Sequence, residues 1–229
     1  MHREFEPAPR TEDYEPPTSA SELLERYAAG ERYFQHAELG GADLEGADLR
    51  GANLEDADLE DANLSGADLS DAWLRSANLE DANLRGAKLV NANFRGAYFH
   101  EADFQGADLT DANIPSGNGR GARLVGACLF EAHLKFINLI SADLRGANLQ
   151  GVNLEGCRIT RGDLSETDLR RANLIEADLQ SAKLIDADLR GADLTRLFAP
   201  TADFSGARLD GVDLSTADLR EAKLDAPAS

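Results

Sequence analysis

Leucine recurs at every fifth position through most of this chain. Between Leu39 and Leu224 there are 38 positions spaced by five, and 30 of them are Leu. The residue two places earlier is Ala in 30 of the 38 units. Asp or Asn predominates one place before the Leu, and the two places after it are mostly polar or Gly, as in GADLE, GANLE and SADLR. A period of five fits neither an α-helix, which repeats near 3.6, nor a flat strand, which repeats at 2. It predicts a solenoid in which each unit makes one short side and one turn, with Leu and Ala pointing inward and the other three positions facing water.

The flanks break this pattern. Residues 1–18 hold Pro7, Pro9, Pro16, Pro17 and several acids and read as a disordered tail. Residues 19–36 read as an N-terminal cap, with a helix over SASELLERYAA (19–29). Ser19 and Glu22 fit a capping box and Gly30 fits a helix stop, while Leu23, Leu24 and Tyr27 are expected on one side. So short a helix is marginal alone. It is therefore expected to cover the open apolar end of the solenoid, because terminal repeats need covering. The repeats fill 37–224, and 225–229 form a C-terminal tail.

The tandem A(D/N)LXX motif over 37–224, with Phe34 as a partial first unit and ELLERYAAGERYF as the leader, resembles the pentapeptide repeat family. The resemblance implies an all-β solenoid, a right-handed quadrilateral parallel β-helix with a short α-helical cap. Four units would make a coil of 20 residues, with coils stacked about 4.8 Å apart by backbone hydrogen bonds. The rod would then hold about nine and a half coils and be on the order of 45 Å long.

On that coil the unit centres fall into four columns. The column 39, 59 … 219 collects Gly119 and Ala199 in place of Leu, and Gly117, Ile137, Cys157 and Leu197 in place of Ala. These departures compensate in volume. Leu197 and Ala199 exchange sizes, and Phe99 and Ile137 lie one coil either side of the two glycines, where they can fill the vacated space. The segment IPSGNGRG (114–121) is accordingly expected to be an irregular turn, a kink or bulged corner, within one continuous rod. Phe94, Phe99 and Phe104 predict a core layer, alongside Leu44, Leu64, Leu144 and Leu164 in the central columns.

Composition narrows the function. The net charge is -19 and the pI about 4.5, which disfavours nucleic acid and membrane headgroups and favours basic partners. Cys128 and Cys157 show no CxxC spacing, the four histidines are isolated, and no phosphate-loop, zinc-protease or nucleophile-elbow motif occurs. The Asp and Asn before each Leu recur too regularly for a catalytic or metal site. They are expected to accept backbone N–H groups near the turns. No enzyme activity, cofactor or metal is expected. No apolar run is long enough to span a membrane, and MHREFEPAPR lacks a signal-peptide core, so a cytoplasmic protein is expected.

Charge is uneven along the chain. Residues 37–81 hold 13 acids against Arg50 and Arg75. The densest run is Glu55, Asp56, Asp58, Glu60 and Asp61, continued by Glu80 and Asp81; Arg170, Arg171 and Arg190 make a small basic spot. Apolar residues also fall where the pattern predicts exposure, among them Tyr98, Phe130, Phe136, Ile140 and Phe198. The expected role is a non-enzymatic structural scaffold or protein-interaction module using the acidic run or the Tyr98–Ile140 region. Its partner would be a basic or DNA-binding protein, with no direct binding of nucleic acid or membrane, and the chain a monomer or an end-to-end homodimer. The resemblance implies an alternative, because some family members act as DNA mimics that bind DNA gyrase or topoisomerase IV and confer quinolone resistance. Those members are richer in central Phe and often end in a hydrophobic dimer module. This chain is Leu-centred and ends in KLDAPAS, similar to the many bacterial repeat proteins common in cyanobacteria.

Overall fold

The computed structural model describes residues 14–225; the expected tail residues 1–13 and 226–229 lie outside them. Nearly every unit bridges in parallel to the unit 20 residues on, as in Asp143↔Asp163 and Asn148↔Asp168, so four units close one coil. The sheet contacts are mostly single-residue bridges. Among the described residues, two-residue strands form at β1 (Asp203–Phe204) and β2 (Lys223–Leu224), which pair in parallel.

Three inter-coil hydrogen bonds and one turn bond define the unit. Leu144 N donates to Asp163 O at 2.8 Å, Gly146 N to Ser165 O at 3.0 Å and Asp143 N to Ala122 O at 3.0 Å, while Ala147 N closes the turn on Leu144 O at 3.0 Å. Positive φ falls on the third residue of nearly every turn and not the second, as at Gly146 (φ 64°), which is the type II pattern. Gly suits this corner, yet Asp61, Asp81, Glu101 and Phe136 hold the same conformation at φ 55–60°. Each costs about 1 kcal/mol relative to Gly, and the bonds on both flanks of the corner offset it.

The columns define four sides. Side 1 carries centres 39 to 219, side 2 carries 44 to 224, side 3 carries 49 to 209 and side 4 carries 34 to 214. Leu44, Leu64, Leu144 and Leu164 are buried, as are Phe94, Phe99 and Phe104. The three Phe rings meet edge-on, with centroids 6.4 Å apart for Phe94–Phe104 and 5.6 Å for Phe99–Phe104. A small apolar void of about 10 Å³ lies beside them.

The 114–121 segment is not a bulge. Its turns and bridges keep the register of the coils around it, with Asn118↔Asn138 in place and Gly119 N bonded to Asn138 O at 2.8 Å. The irregularity lies in side-chain volume. A Cβ on Gly119 would stand 1.9 Å from the Phe99 ring, and one on Gly117 2.9 Å from it. A large ring in one coil is thus matched to two missing side chains in the next. Ile159 and Gly162 make a second such exchange, since a Cβ on Gly162 would sit 2.4 Å from Ile159 Cγ2.

The helix α1 spans Ala20–Ala28, with Ser19 as N-cap accepting from Glu22 N. Glu22 Oε2 in turn accepts from Thr18 N at 3.1 Å. Leu23 is fully buried and Tyr27 packs beside Phe34, with ring centroids 6.4 Å apart. Leu24 departs from the expectation: it turns away from the coil and is 36% exposed. In an α-helix Leu23 and Tyr27, four apart, share a face that Leu24 only flanks.

Residues 14–18, expected to belong to a disordered tail, dock on the first coil. Glu38 N donates to Pro17 O at 2.9 Å, which repeats the spacing by which Asp58 N donates to Ala37 O. Pro17 therefore supplies the carbonyl of a coil that the repeat itself does not contain. Arg26 clasps this segment, donating to Glu15 O at 2.9 Å while pairing with Glu31 at 2.6 Å.

Candidate functional site

The Asp and Asn ladder serves the backbone. The Oδ1 of Asp43, Asn53, Asp58, Asn78, Asp103, Asp143, Asp163 and many equivalents accepts the N–H two residues on, at 2.9–3.3 Å. Neighbouring coils add amide rungs, as where Asn83 Nδ2 donates to Asn63 Oδ1 at 3.1 Å. Among the described residues, no group of three or more His, Cys, Asp or Glu is arranged to hold a metal ion. Cys157 is buried, and burial pushes its thiol well above the usual range. Cys128 is half-buried against Thr110 Oγ1 at 3.3 Å.

The sequence-predicted surface residues divide between sides. Asp58, Glu60 and Glu80 lie on side 1, Asp56 on the corner leading into it, and Asp61 and Asp81 on the corner leaving it. Glu55 does not join them. It sits around the corner on side 4, where Arg75 pairs with it at 3.5 Å. The other cation of the acidic run, Arg50, is held by Asp48 on side 3 at 2.7 Å. Side 1 and its two corners therefore carry no Lys or Arg through the first four coils, while Glu38, Asp56, Asp58, Glu60, Asp61, Glu80, Asp81 and Glu101 stand there. His100 lies among them, 3.2 Å from Glu80 and 3.7 Å from Glu101.

The apolar candidates also sort by side. Tyr98 and Ile140 lie on side 1, and Phe136 on its leading corner; Phe130 lies apart on side 3. Large exposed hydrophobics among the described residues are Leu24, Tyr98 (54%), Phe136 (56%), Phe198 (37%) and Leu224. The three on the wall of the rod all belong to side 1 or its corner. Phe136 leans over the next coil, where Gly156 leaves room: a Cβ there would stand 2.6 Å from the ring. Lys135 Nζ lies 4.9 Å from the same ring. The large corner residue followed 20 positions later by Gly recurs at Glu101–Gly121 and Asp186–Gly206, a signal visible in the sequence once the coil length is known.

The basic spot expected at Arg170, Arg171 and Arg190 is largely neutralised. Arg170 and Arg190 each hold a bidentate bond to the Asp two residues before, Asp168 and Asp188, with shortest contacts of 2.5 and 2.6 Å. The Arg190 guanidinium holds the Asp188 carboxyl down to about 2.

A coil of four five-residue sides with inward Leu and Ala and an Asx ladder is the architecture of one repeat class, and comparison with known proteins agrees. The family model for pentapeptide repeats matches in successive copies over 33–114, 122–196 and 202–225. Its two internal gaps coincide with Gly117–Gly119 and with the Leu197–Ala199 exchange on side 1. The chain belongs to the pentapeptide repeat family. It is similar to the crystal structure of HetL from the cyanobacterium Nostoc sp. strain PCC 7120, a pentapeptide repeat protein involved in heterocyst differentiation regulation. That likeness has 34% identity and a TM-score of 0.54, and covers 89% of this chain and 96% of HetL. It is also similar to Rfr23 from Cyanothece 51142, at 35% identity and a TM-score of 0.33 over 41% of this chain and 60% of that one. QnrB1, a plasmid-mediated fluoroquinolone resistance protein, is 22% identical with a TM-score of 0.35, over 80% of this chain and 91% of that one. Curated protein sequences contain no significant match. No helix among the described residues is long and apolar enough to cross a membrane.

Proposed function

We propose that this chain is a non-enzymatic interaction rod that recognises a protein partner through side 1. One observation carries the reading: the side that lacks Lys and Arg through its first four coils is also the side that exposes Tyr98, Phe136 and Phe198. Solvated charge alone needs no partner, and scattered exposed apolars are ordinary. Their confinement to one side in four supports a recognition surface. Replacing Tyr98 with a photo-crosslinking phenylalanine analogue in the native host should trap a defined protein, and the same analogue at Phe130 on side 3 should not. Asp56→Lys, Asp58→Lys, Glu60→Lys and Asp61→Lys together should abolish the adduct while circular dichroism stays unchanged. Equal trapping from both positions would sink the assignment to side 1.

The same eight carboxylates support a second reading, that side 1 presents negative charge to a DNA-binding groove of a topoisomerase. In a gyrase supercoiling assay at two salt concentrations, inhibition at near-stoichiometric protein that fades with salt would favour it. No effect at either salt would leave a different partner.

A further inference from the structure

Resting on side 1 as the recognition surface, we propose that its occupant is a basic amphipathic helix lying along the rod axis, with its cations toward the capped end and its apolar residues over Tyr98 and Ile140. The apolar positions fix the register of the bound helix. Tyr98 and Ile140 are two coils apart on side 1, about 10 Å along the axis. Phe136 stands on the corner of the same coil as Ile140, 56% exposed and seated over Gly156. Helix residues seven apart lie on one face about 10.5 Å apart, so one apolar stripe can meet both coils. The helical turn of 5.4 Å also stays close to the coil rise over a few repeats.

Charge then fixes the direction. The coils of Glu80 and Asp58, one and two steps toward the cap from Tyr98, have no cation on side 1 or its corners, whereas Arg120 lies between Tyr98 and Ile140. A partner's Lys or Arg is attracted over the first rows and repelled near Arg120, so its cations must cluster one to two turns from its apolar pair. The surface also has edges: Asp56 borders it on one corner, and Asp61, Asp81 and Glu101 on the other. A helix is narrow enough to lie between such borders and gather charge from both. On sides 2, 3 and 4 of the first coils Arg85, Arg50, Lys88 and Arg75 pair with Asp103, Asp48, Asp68 and Glu55, and Arg95 stands on side 4, so those sides give no equivalent run of carboxylates clear of Lys and Arg.

The test uses two labelled peptides of about 18 residues, enough to span the surface. One places Leu at i and i+7 near one end and Lys near the other, and the second shuffles the same residues so that no stripe forms. Fluorescence anisotropy with the full chain should show the striped peptide binding at least tenfold tighter. Tyr98→Ser with Phe136→Ser should weaken it at least fivefold. Asp58→Asn, Glu60→Gln and Asp61→Asn together should remove most of its salt dependence, and Phe130→Ser should leave it unchanged. Equal affinity for both peptides, or an equal loss on Phe130→Ser, overturns the proposal. If neither peptide binds but crosslinking at Tyr98 traps a defined protein, the recognition surface stands and the helical occupant falls; if both experiments fail, both readings fall.

Discussion

The two ends of the rod are built from the same five-residue unit, yet they bury it differently. At the first coil Phe34, Leu39, Leu44 and Leu49 are at most 1% exposed. At the last, Leu209, Leu214 and Leu219 are only partly buried and Leu224 is 43% exposed. The sequences of these units are equally regular, so the unit does not determine its own burial. Burial belongs to the neighbour, as expected of a quasi-one-dimensional fold. At the first coil α1 is the neighbour, through Leu23 and Tyr27, and Pro17 supplies a missing carbonyl. The charge follows the same axis: residues 14–119 hold 21 acids and seven Lys or Arg, while 120–225 hold 17 and 14.

Damage should be greatest in a coil that has neighbours on both sides. Leu144→Asp places a carboxylate at a fully buried centre with no partner. It should cost roughly 4 kcal/mol or more and unfold the central coils. Urea denaturation followed by circular dichroism checks it, and an unchanged midpoint would show that Leu144 does not point inward.

A matched pair on side 1 sharpens the contrast. Leu139 is fully buried and Leu219 partly so. Leu139→Ala should cost about 3 kcal/mol. Leu219→Ala should cost about 1 kcal/mol, since it removes only part of the transfer and leaves no closed cavity. Equal losses in chemical denaturation would mean that the last coil is covered in solution.

The capped end responds locally. Leu23→Ala should cost about 2 kcal/mol, near the low end of core truncations because a surface helix can settle. In a stacked solenoid the loss stays near the site. Amide exchange should therefore accelerate at Leu39 and Leu44 and remain unchanged at Leu144.

The fold was largely legible in the sequence, for physical reasons that also mark where legibility stops. A core column of one residue type needs a fixed period, so Leu and Ala declare the inward positions directly. Phe99 beside Gly117 and Gly119 was readable because volume must be conserved between stacked coils. The docking of 14–18 was not, since it depends on the Pro17 carbonyl, and a backbone acceptor leaves no mark on residue type. The kink or bulged corner expected at 114–121 does not form, because the Phe99 ring fills the vacated volume and leaves the backbone register unchanged. Glu55 was grouped with Asp56 through sequence adjacency, but in this fold a corner separates neighbours while residues 20 apart touch. The acidic candidates are therefore better read in steps of 20 than in runs, and so are the exposed aromatics of side 1.

Acid should loosen the two halves differently. In the C-terminal half, Lys223 and Ser205 hold the Asp203 carboxyl down to about 2, as Arg190 does that of Asp188. A folded-state value below the unfolded one, about 3.9, means that these bonds stabilise above pH 4 and that their contribution is lost as pH falls toward 2. Amide exchange at Leu184 and Leu189 should therefore rise between pH 4 and pH 2, after correction for the intrinsic rate. A flat response would show that the pairs stabilise the unfolded chain equally.

The smallest expected effect tests what the ladder is for. Asp143 Oδ1 accepts from Arg145 N at 3.3 Å and Nε at 2.8 Å, and Oδ2 from Nη2 at 2.7 Å. Arg145 keeps the Asp143 carboxyl below its ordinary value. Asp143→Asn retains one oxygen for the turn N–H and loses the charge pair, whose partner is more than half exposed. An exposed pair contributes little, so the cost should stay below about 1 kcal/mol. Asp143→Ala should cost more, because the turn loses its acceptor while the charge pair is lost as well. If stability follows the order Asp, Asn, Ala, with the larger step at Ala, the ladder acts through the oxygen that receives the backbone. If the larger step comes at Asn, the ladder acts through charge, and the paired Arg–Asp rows of the C-terminal half would be the stabilising feature that side 1 near the cap, with no Lys or Arg, lacks.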